Sequence, residues 1–408
     1  AIADPQGVAT ADLFTSVNGA AFTSAPMTRT SQGTYTATIA GRALATKVQF
    51  YIQATDALGA TSLFPAAGPN ARAIIPWNDN ASRFVLPSGA QPHNLRVVMT
   101  PADQTFIHTN INQMSNEKLP CTFIYNDREV YYNASVRLKS SEHGRFNDSR
   151  VGYILDFGRD EPFLGTHTTI AIDRSGGVSA NQYEILIRQM MNSAGGIYST
   201  EDDIIRVIGT KTSFTGPAIL AKSRFDSEYL DGQWDNGAQG TMFKYERVYI
   251  QTQTSPSGPE GYKYPQDSTG PPGVAVTGLG TNKELYRWWW LIRNNRAEDD
   301  YTRLMPAVTA LGKSNPTFLT ETAPLVDASS FLRSFTPASL FGVVDNYNDN
   351  AQHNAIFYFP PNGKMIHIPW DLDFLGQSNA NSSLTQNSEL NKYLSNTSWR
   401  RLYWGHML

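Results

Sequence analysis

Side chains with oxygen atoms that could bind a metal cation are concentrated in one stretch, residues 345–376. They lie on both sides of a short apolar run and comprise Asp345, Asp349, Asn354, Asp371 and Asp373. Carboxylate and amide oxygens suit Mg²⁺ or Mn²⁺ better than Zn²⁺. The stretch therefore predicts a magnesium or manganese site. A purely structural interpretation competes with it, because Asp and Asn are also common in turns and caps.

A β-hairpin is the element that would bring these side chains together. Residues 355–359 form an apolar, aromatic run, residues 360–363 read Pro-Pro-Asn-Gly, and residues 364–369 alternate in polarity on the return. This pattern is typical of two strands joined by a tight turn. Because a hairpin brings its two open ends together, we expect the acids before and after it to converge.

The spacing within the stretch indicates a more specific chemistry. Asp349 and Asn354 are separated as D-x-x-x-x-N, which is the spacing of the catalytic Asp and the metal-holding Asn in protein kinases. In those enzymes a further metal-binding Asp follows a short hairpin, as Asp371 does in this chain. The spacing is short enough to occur by chance, so it allows either interpretation.

The run HNAIFYFPPNGKMIHIPWDLDFLG resembles the signature of the CotH-like spore-coat kinase family. Members of that family carry an HN-aromatic strand, a Gly turn and an I-P-W-D-x-D-x-x-G ending. The resemblance spans residues 94–408 and is strongest at 340–376. It implies a kinase that uses ATP with Mg²⁺ or Mn²⁺ and transfers the γ-phosphoryl group to Ser or Thr of a protein substrate.

The resemblance also implies roles for individual residues. Asp371 would hold the metal ion with Asn354 as its partner, and Asp373 would be a second ligand or would stabilise the turn. The catalytic Asp is either of two residues. Asp349 has the right distance to Asn354, whereas Asp345 has the D-x-aromatic context of the family.

The nucleotide-binding residues implied by the resemblance are Arg137, Lys139, Arg150, Lys244 and Glu184. Arg137 and Lys139 belong to a segment like the family's R-x-K-G-x-S-S, although Ser140 replaces the usual Gly. Glu184 lies on a helix predicted over 180–194, where it could orient a phosphate-binding Lys. The plainer interpretations are a solvated strand end for the cations and an exposed helical position for Glu184.

Composition limits the range of functions and partners. The chain has 408 residues, a net charge of −3 and a pI near 6.2, so electrostatics give no case for a nucleic-acid partner. Cys121 is the only cysteine, which excludes an intramolecular disulfide framework. No apolar run is long enough to span a membrane.

The pattern of residue types favours a bacterial secreted or cell-surface protein, since Thr, Ser, Asn, Gly and aromatic residues are abundant. The first residues lack the features of a signal peptide. The chain starts without Met and ends in an aromatic, helix-like segment. We therefore expect a fragment of a longer protein, with any export signal or anchor outside this sequence.

The predicted architecture is multidomain. Alternating polarity predicts an N-terminal all-β sandwich at 1–78, and its KVQFYIQATDALGATSLFP segment resembles Ig-like and fibronectin-III-like modules. A linker follows at 79–93. Residues 94–408 are predicted to form an α+β, atypical protein-kinase-like domain with two lobes, truncated at its C-terminus.

Two other functions compete with phosphoryl transfer. The first is a surface adhesion or binding protein with a degenerate nucleotide site, which Ser140 and a Ser at 223 in place of Glu favour. The second is a carbohydrate-active enzyme that uses Asp345 or Asp349 together with Asp371 as paired acids. The intact D-x-x-x-x-N and Trp-Asp-Leu-Asp segments favour the phosphotransferase.

Overall fold

The computed structural model describes residues 1–77, 93–109, 112, 115–139, 152–173, 182–211, 216–246, 276–287, 289–351, 353–373, 376, 379 and 381–408. The chain forms two compact units. Described residues of the first unit fall within 1–175 and 204–221, and those of the second unit fall within 176–203, 222–253 and 262–408. Apart from His93, the predicted linker at 79–93 lies outside the described residues. The predicted boundaries 1–78 and 94–408 stay predictions.

The first unit begins with antiparallel strands, as the alternating polarity predicts. These are β1 (Val8–Val17), β2 (Thr23–Pro26), β3 (Thr28–Ser31), β4 (Thr34–Thr36), β5 (Lys47–Asp56), β6 (Thr61–Phe64) and β7 (Ile74–Pro76). A sheet has the order β2-β1-β5-β6 with β7 also paired to β5, while β3 and β4 form a separate pair. Leu13 of β1 and Phe50 of β5 pack with Ala73 in its small core.

A closed barrel makes up the rest of the first unit. Its elements are β8 (Asn94–Val98), α1 (Pro101–His108), β9 (Leu119–Tyr125), β10 (Glu129–Lys139), β11 (Gly152–Asp156), β12 (Thr169–Asp173), β13 (Asp202–Ile208) and β14 (Gly216–Lys222). The strand order is β10-β11-β12-β14-β13-β8-β9, with β8 and β13 parallel. Buried side chains such as Phe123, Val136 and Leu155 fill the interior. Asp202 is the first residue of β13 and Lys222 is the last residue of β14. Both residues belong to the second unit.

The second unit combines helices with a four-stranded antiparallel sheet. Its helices are α2 (Gln182–Ala194), α3 (Ser227–Gln233), α4 (Leu304–Leu311), α5 (Thr317–Thr322), α6 (Ala328–Phe341), α7 (Ser388–Leu394) and α8 (Thr397–Met407). Its strands are β15 (Thr241–Tyr245), β16 (Trp290–Ile292), β17 (Ala355–Phe359) and β18 (Ile366–Pro369), in the order β16-β15-β17-β18. Aromatic side chains, among them Phe243, Trp290 and Phe357, pack between the sheet and the helices.

The predicted fold class is wrong. The N-terminal strands form a single sheet with a small extra pair, and the strands after them close into a barrel, so neither a sandwich nor a two-lobed kinase describes the chain. Alternating polarity detects a strand with one buried face, but it does not tell what covers that face. Closure depends on pairings between distant segments, such as Leu95 with Val207.

Two local predictions in the second unit are confirmed, the hairpin and the end of the helix that precedes the two glycines. Strands β17 and β18 form the predicted hairpin, with Ala355 opposite Pro369 at its open end. Helix α2 ends at Ala194, and the two glycines that follow have φ of 72° and 68°, which an L side chain rarely adopts. None of the helices in the described part of the chain is long and apolar enough to cross a membrane.

A buried histidine lies on the hairpin's return strand. The Nδ1 atom of His367 is 2.7 Å from Oγ of Ser334, and the ring lies among Phe331, Phe335 and Phe357. Burial lowers the pKa of His367 to about 3. The imidazole is therefore neutral at physiological pH and forms part of the packed core.

Candidate functional site

The predicted acids before the hairpin lie in a tight turn that follows α6. The carboxylate of Asp349 accepts hydrogen bonds from the backbone N–H groups of Asp345 at 3.0 Å, Asn346 at 3.2 Å and Ala351 at 3.2 Å. Asn346 and Asp349 together form a capping box, which satisfies backbone donors at both ends of the turn. Asp349 therefore holds the turn in shape.

Asp345, the other candidate for the catalytic Asp, has a partly exposed carboxylate. Its side chain is 44% exposed, and Oδ1 lies 3.2 Å from Nε2 of the buried His353. Its backbone carbonyl accepts a hydrogen bond of 3.0 Å from Nδ2 of Asn354. The turn thus presents Asp345 at its surface, while Asp349 is committed to backbone contacts.

The open end of the hairpin brings the two predicted metal ligands to one corner. Asn354 directly precedes Ala355, and Asp371 follows Pro369 by two residues, so both extend from the last paired position of the ladder. Next to Asp371, Leu372 is fully buried in a cluster with Ile187 and other apolar residues. This burial anchors the corner, with Asp371 and Asp373 on either side of the anchored residue.

Three of the predicted site residues have left-handed backbone conformations. The φ angles are 64° at Asp345, 54° at Asn354 and 60° at Asp371. Side-chain-bearing residues adopt this region uncommonly, although Asp and Asn tolerate it best. Such conformations often occur where a fold must aim side chains at a ligand.

The donor set fits a hard divalent cation. Because Nδ2 of Asn354 is bonded to the carbonyl of Asp345, the amide oxygen is the atom that remains for a cation. Asp371 supplies a carboxylate at the same corner. Within the described residues, no three His, Cys, Asp or Glu side chains come together in an arrangement able to hold a metal. Mg²⁺ typically needs only one or two carboxylates when substrate phosphates complete its coordination.

A second cluster of charged side chains lies in the second unit, and four residues form its centre. We call Glu184, Arg188, Asp202 and Lys222 the buried quartet. Nζ of Lys222 is 2.6 Å from one carboxylate oxygen of Glu184. The other oxygen of Glu184 is 2.8 Å from Arg188, which also lies 2.6 Å from Asp202. All four side chains are at most 3% exposed.

The two cations and two anions of the buried quartet balance each other. Burial alone would lower the pKa of Arg188, but the carboxylates of Asp202 and Glu184 outweigh it and raise that pKa above its ordinary value. Removing one partner of such a buried pair leaves an unpaired charge in the protein interior, where it is poorly solvated. The four members of the quartet therefore depend on one another.

The buried quartet approaches the hairpin corner through Arg188. The guanidinium carbon lies 5.8 Å from the centre of the Trp370 ring, within the range of a cation–π contact. The negative charge of Asp371 also contributes to the raised pKa of Arg188. The second unit therefore contains a buried Lys–Glu pair and an oxygen-rich corner, and Arg188 lies next to both of them.

The remaining predicted site residues occupy varied surroundings. Lys244 forms an ion pair with Glu246 in the second unit. In the first unit, Lys139 lies 2.6 Å from Asp173, and Arg137 donates a hydrogen bond to the carbonyl of Leu138. Arg150 and Ser140 lie outside the described residues. The predicted nucleotide contacts of these cations stay predictions.

Arg188, Asp202 and Lys222 were not identified from the sequence, and the plainer interpretation of Glu184, an exposed helical position, is wrong. Instead, Tyr183, Leu186 and Met190 are 45%, 49% and 42% exposed, and Glu184 and Arg188 face inward. The i, i+4 spacing of Glu184 and Arg188 was the available signal.

Comparisons with known proteins leave the family open. No protein-family model matches the chain, and no curated protein matches it.

Proposed function

We propose that this protein is a metal-dependent phosphotransferase that transfers the γ-phosphoryl group of ATP to Ser or Thr of a protein substrate at the bacterial cell surface or outside the cell. The observation that carries the proposal is the buried Lys222–Glu184 pair, with 2.6 Å between Nζ and the carboxylate. It lies in the same unit as the corner of Asn354 and Asp371. The resemblance of residues 340–376 to CotH-like kinases supports the same chemistry.

Each part of the site has a role in such a reaction. Glu184 orients Lys222 toward the phosphates of the nucleotide, because a fixed ammonium group neutralises developing charge without reorganisation. Asn354 and Asp371 would hold Mg²⁺ or Mn²⁺, which would neutralise phosphate charge. Asp345 accepts or orients the proton of the attacking Ser or Thr hydroxyl.

Of the two candidates for the catalytic Asp, we assign the role to Asp345. A group that receives a proton from substrate needs an oxygen within hydrogen-bond reach of the incoming hydroxyl. The carboxylate of Asp345 is 44% exposed next to His353, and the carboxylate of Asp349 accepts hydrogen bonds from three backbone N–H groups. The role of Asp349 is to position the turn that carries Asp345.

A thermal melt of the full chain with ATP and Mg²⁺ tests nucleotide binding. At a hundred times its dissociation constant, a ligand stabilises the protein by about 2.7 kcal/mol, which raises the melting temperature by several degrees. The parent chain should shift, Asp371→Ala should not, and Asp235→Ala should shift like the parent, since Asp235 is an exposed acid of the same unit. Absence of a shift in the folded parent would refute the proposal and favour a surface binding protein.

A further inference from the structure

We infer that Arg188 is a positioning residue that couples the Lys222–Glu184 pair to the metal corner at Asp371, an inference that rests on the proposed function. Arg188 contacts both parts of the site without belonging to either. On one side it is bonded to Glu184, and on the other it lies over the ring of Trp370. Trp370 directly precedes Asp371, so the position of the indole limits where that carboxylate can lie.

The guanidinium group is held from several directions. Besides Glu184 and Asp202, Arg188 donates to Oγ1 of Thr200 at 2.8 Å and to Oγ of Ser199 at 3.4 Å. These contacts come from different segments, and the side chain is 1% exposed. A planar group that is hydrogen-bonded on several edges keeps one orientation. The position of Glu184 therefore fixes the position of the guanidinium group over Trp370.

The anchoring of helix α2 supports the same coupling. Ile187, next to Arg188 in the chain, packs in one apolar cluster with Leu372, which follows Asp371. Helix α2 therefore contacts the corner at two points. Ile187 packs with Leu372, which follows Asp371, and Arg188 lies over Trp370, which precedes Asp371. Asp371 lies between two residues that α2 holds in place.

A lysine at this position would keep the charge but lose the coupling. An ammonium group on a flexible stem lacks the planar fork that bonds Glu184 and Asp202 and covers the ring at the same time. If Arg188 served only to balance the buried charge, Arg188→Lys would preserve its function. Groups that support metal ligands typically change metal affinity by about 10–100-fold when they are mutated.

The test is a titration of the full chain with Mn²⁺ at a fixed concentration of a non-hydrolysable ATP analogue, because phosphate oxygens complete the coordination of the ion. Electron paramagnetic resonance reports free Mn²⁺, and the same titration of the analogue alone is the blank. Arg188→Lys should bind Mn²⁺ at least tenfold more weakly than the parent. Its matched control is Arg287→Lys, because Arg287 also pairs with two carboxylates, Glu284 and Asp299, and lies 5.6 Å from an aromatic ring centre. That control should bind Mn²⁺ like the parent.

A second variant keeps the test decisive if Arg188→Lys fails to fold. Trp370→Leu removes the ring under the guanidinium and leaves all four members of the buried quartet unchanged, and it too should weaken Mn²⁺ binding severalfold. Parent-like Mn²⁺ affinity in a folded Arg188→Lys, or in Trp370→Leu, would overturn the positioning role alone. A folded parent chain that binds no more Mn²⁺ than the ATP analogue alone would overturn the proposed function and this inference together.

Discussion

Breaking the buried quartet one residue at a time should reveal strong coupling between its members. Lys222→Met leaves the quartet with one net negative charge, and Glu184→Gln leaves it with one net positive charge. Each variant should lower the free energy of unfolding by about 3–5 kcal/mol, the cost typical of breaking a buried ion pair. The double variant restores the charge balance through Arg188 and Asp202, which lie 2.6 Å apart.

The double variant should therefore be destabilised by less than the sum of the two single variants. We expect a coupling energy of about 2–3 kcal/mol, at the upper end of what contacting residues show. Guanidinium-induced unfolding followed by tryptophan fluorescence measures all four proteins, and the unfolding midpoint with its slope yields each free energy. Costs that add to within about 0.5 kcal/mol would refute the mutual dependence of Lys222 and Glu184.

Three further predictions concern the turn, the core and backbone packing. Asp349→Ala should lower the free energy of unfolding by about 1–3 kcal/mol because it leaves backbone donors unsatisfied, whereas Asp345→Ala should abolish phosphoryl transfer with little change in that free energy. Folding lowers the pKa of His367 from 6.5 to about 3, so stability should fall as pH drops through that window. The fall should reach about 5 kcal/mol, and urea unfolding of His367→Gln should show a flatter dependence between pH 7 and 3. Gly237→Ala should cost about 1–3 kcal/mol in a thermal melt, since its Cβ would lie 2.0 Å from a backbone carbonyl oxygen. Gly232→Ala, with nothing within 4 Å, is the matched control and should be neutral or slightly stabilising.

The hairpin and helix α2 could be predicted because their signals are local. The Pro-Pro-Asn-Gly turn between two apolar runs specifies antiparallel pairing of neighbours, and the observed pairing of Ala355 with Pro369 follows directly. The glycines after Ala194 likewise mark the end of α2. These features need no information from distant parts of the chain.

The buried face of α2 and the closure of the barrel could not be predicted in the same way. Burial of Glu184 is acceptable only because Lys222 and Arg188 neutralise it, and Lys222 lies far along the chain. Barrel closure depends on strands that are distant in sequence, such as β8 and β13. Both depend on long-range contacts, which periodicity within one segment does not report.

The apolar residues of α2 do not all lie on its buried face. Tyr183, Leu186 and Met190 follow the spacing of a buried stripe, yet all three are exposed. The other side of the helix combines Ile187 and Met191 with the charges of the buried quartet. A stripe of apolar residues usually indicates the buried face of a helix. In α2 a cluster of paired charges is buried instead, which is possible because each charge has a partner.

Transfer of labelled phosphate from γ-labelled ATP is the most direct test of the proposed function. The full chain would be incubated with Mg²⁺ or Mn²⁺ and a Ser/Thr-containing peptide mixture, alongside Asp371→Ala and Asp345→Ala. We expect label on Ser or Thr with the parent, loss of labelling in both variants, and loss with EDTA. Peptides that stay unlabelled with a folded parent that binds ATP, or labelling that persists in Asp371→Ala, would contradict the account.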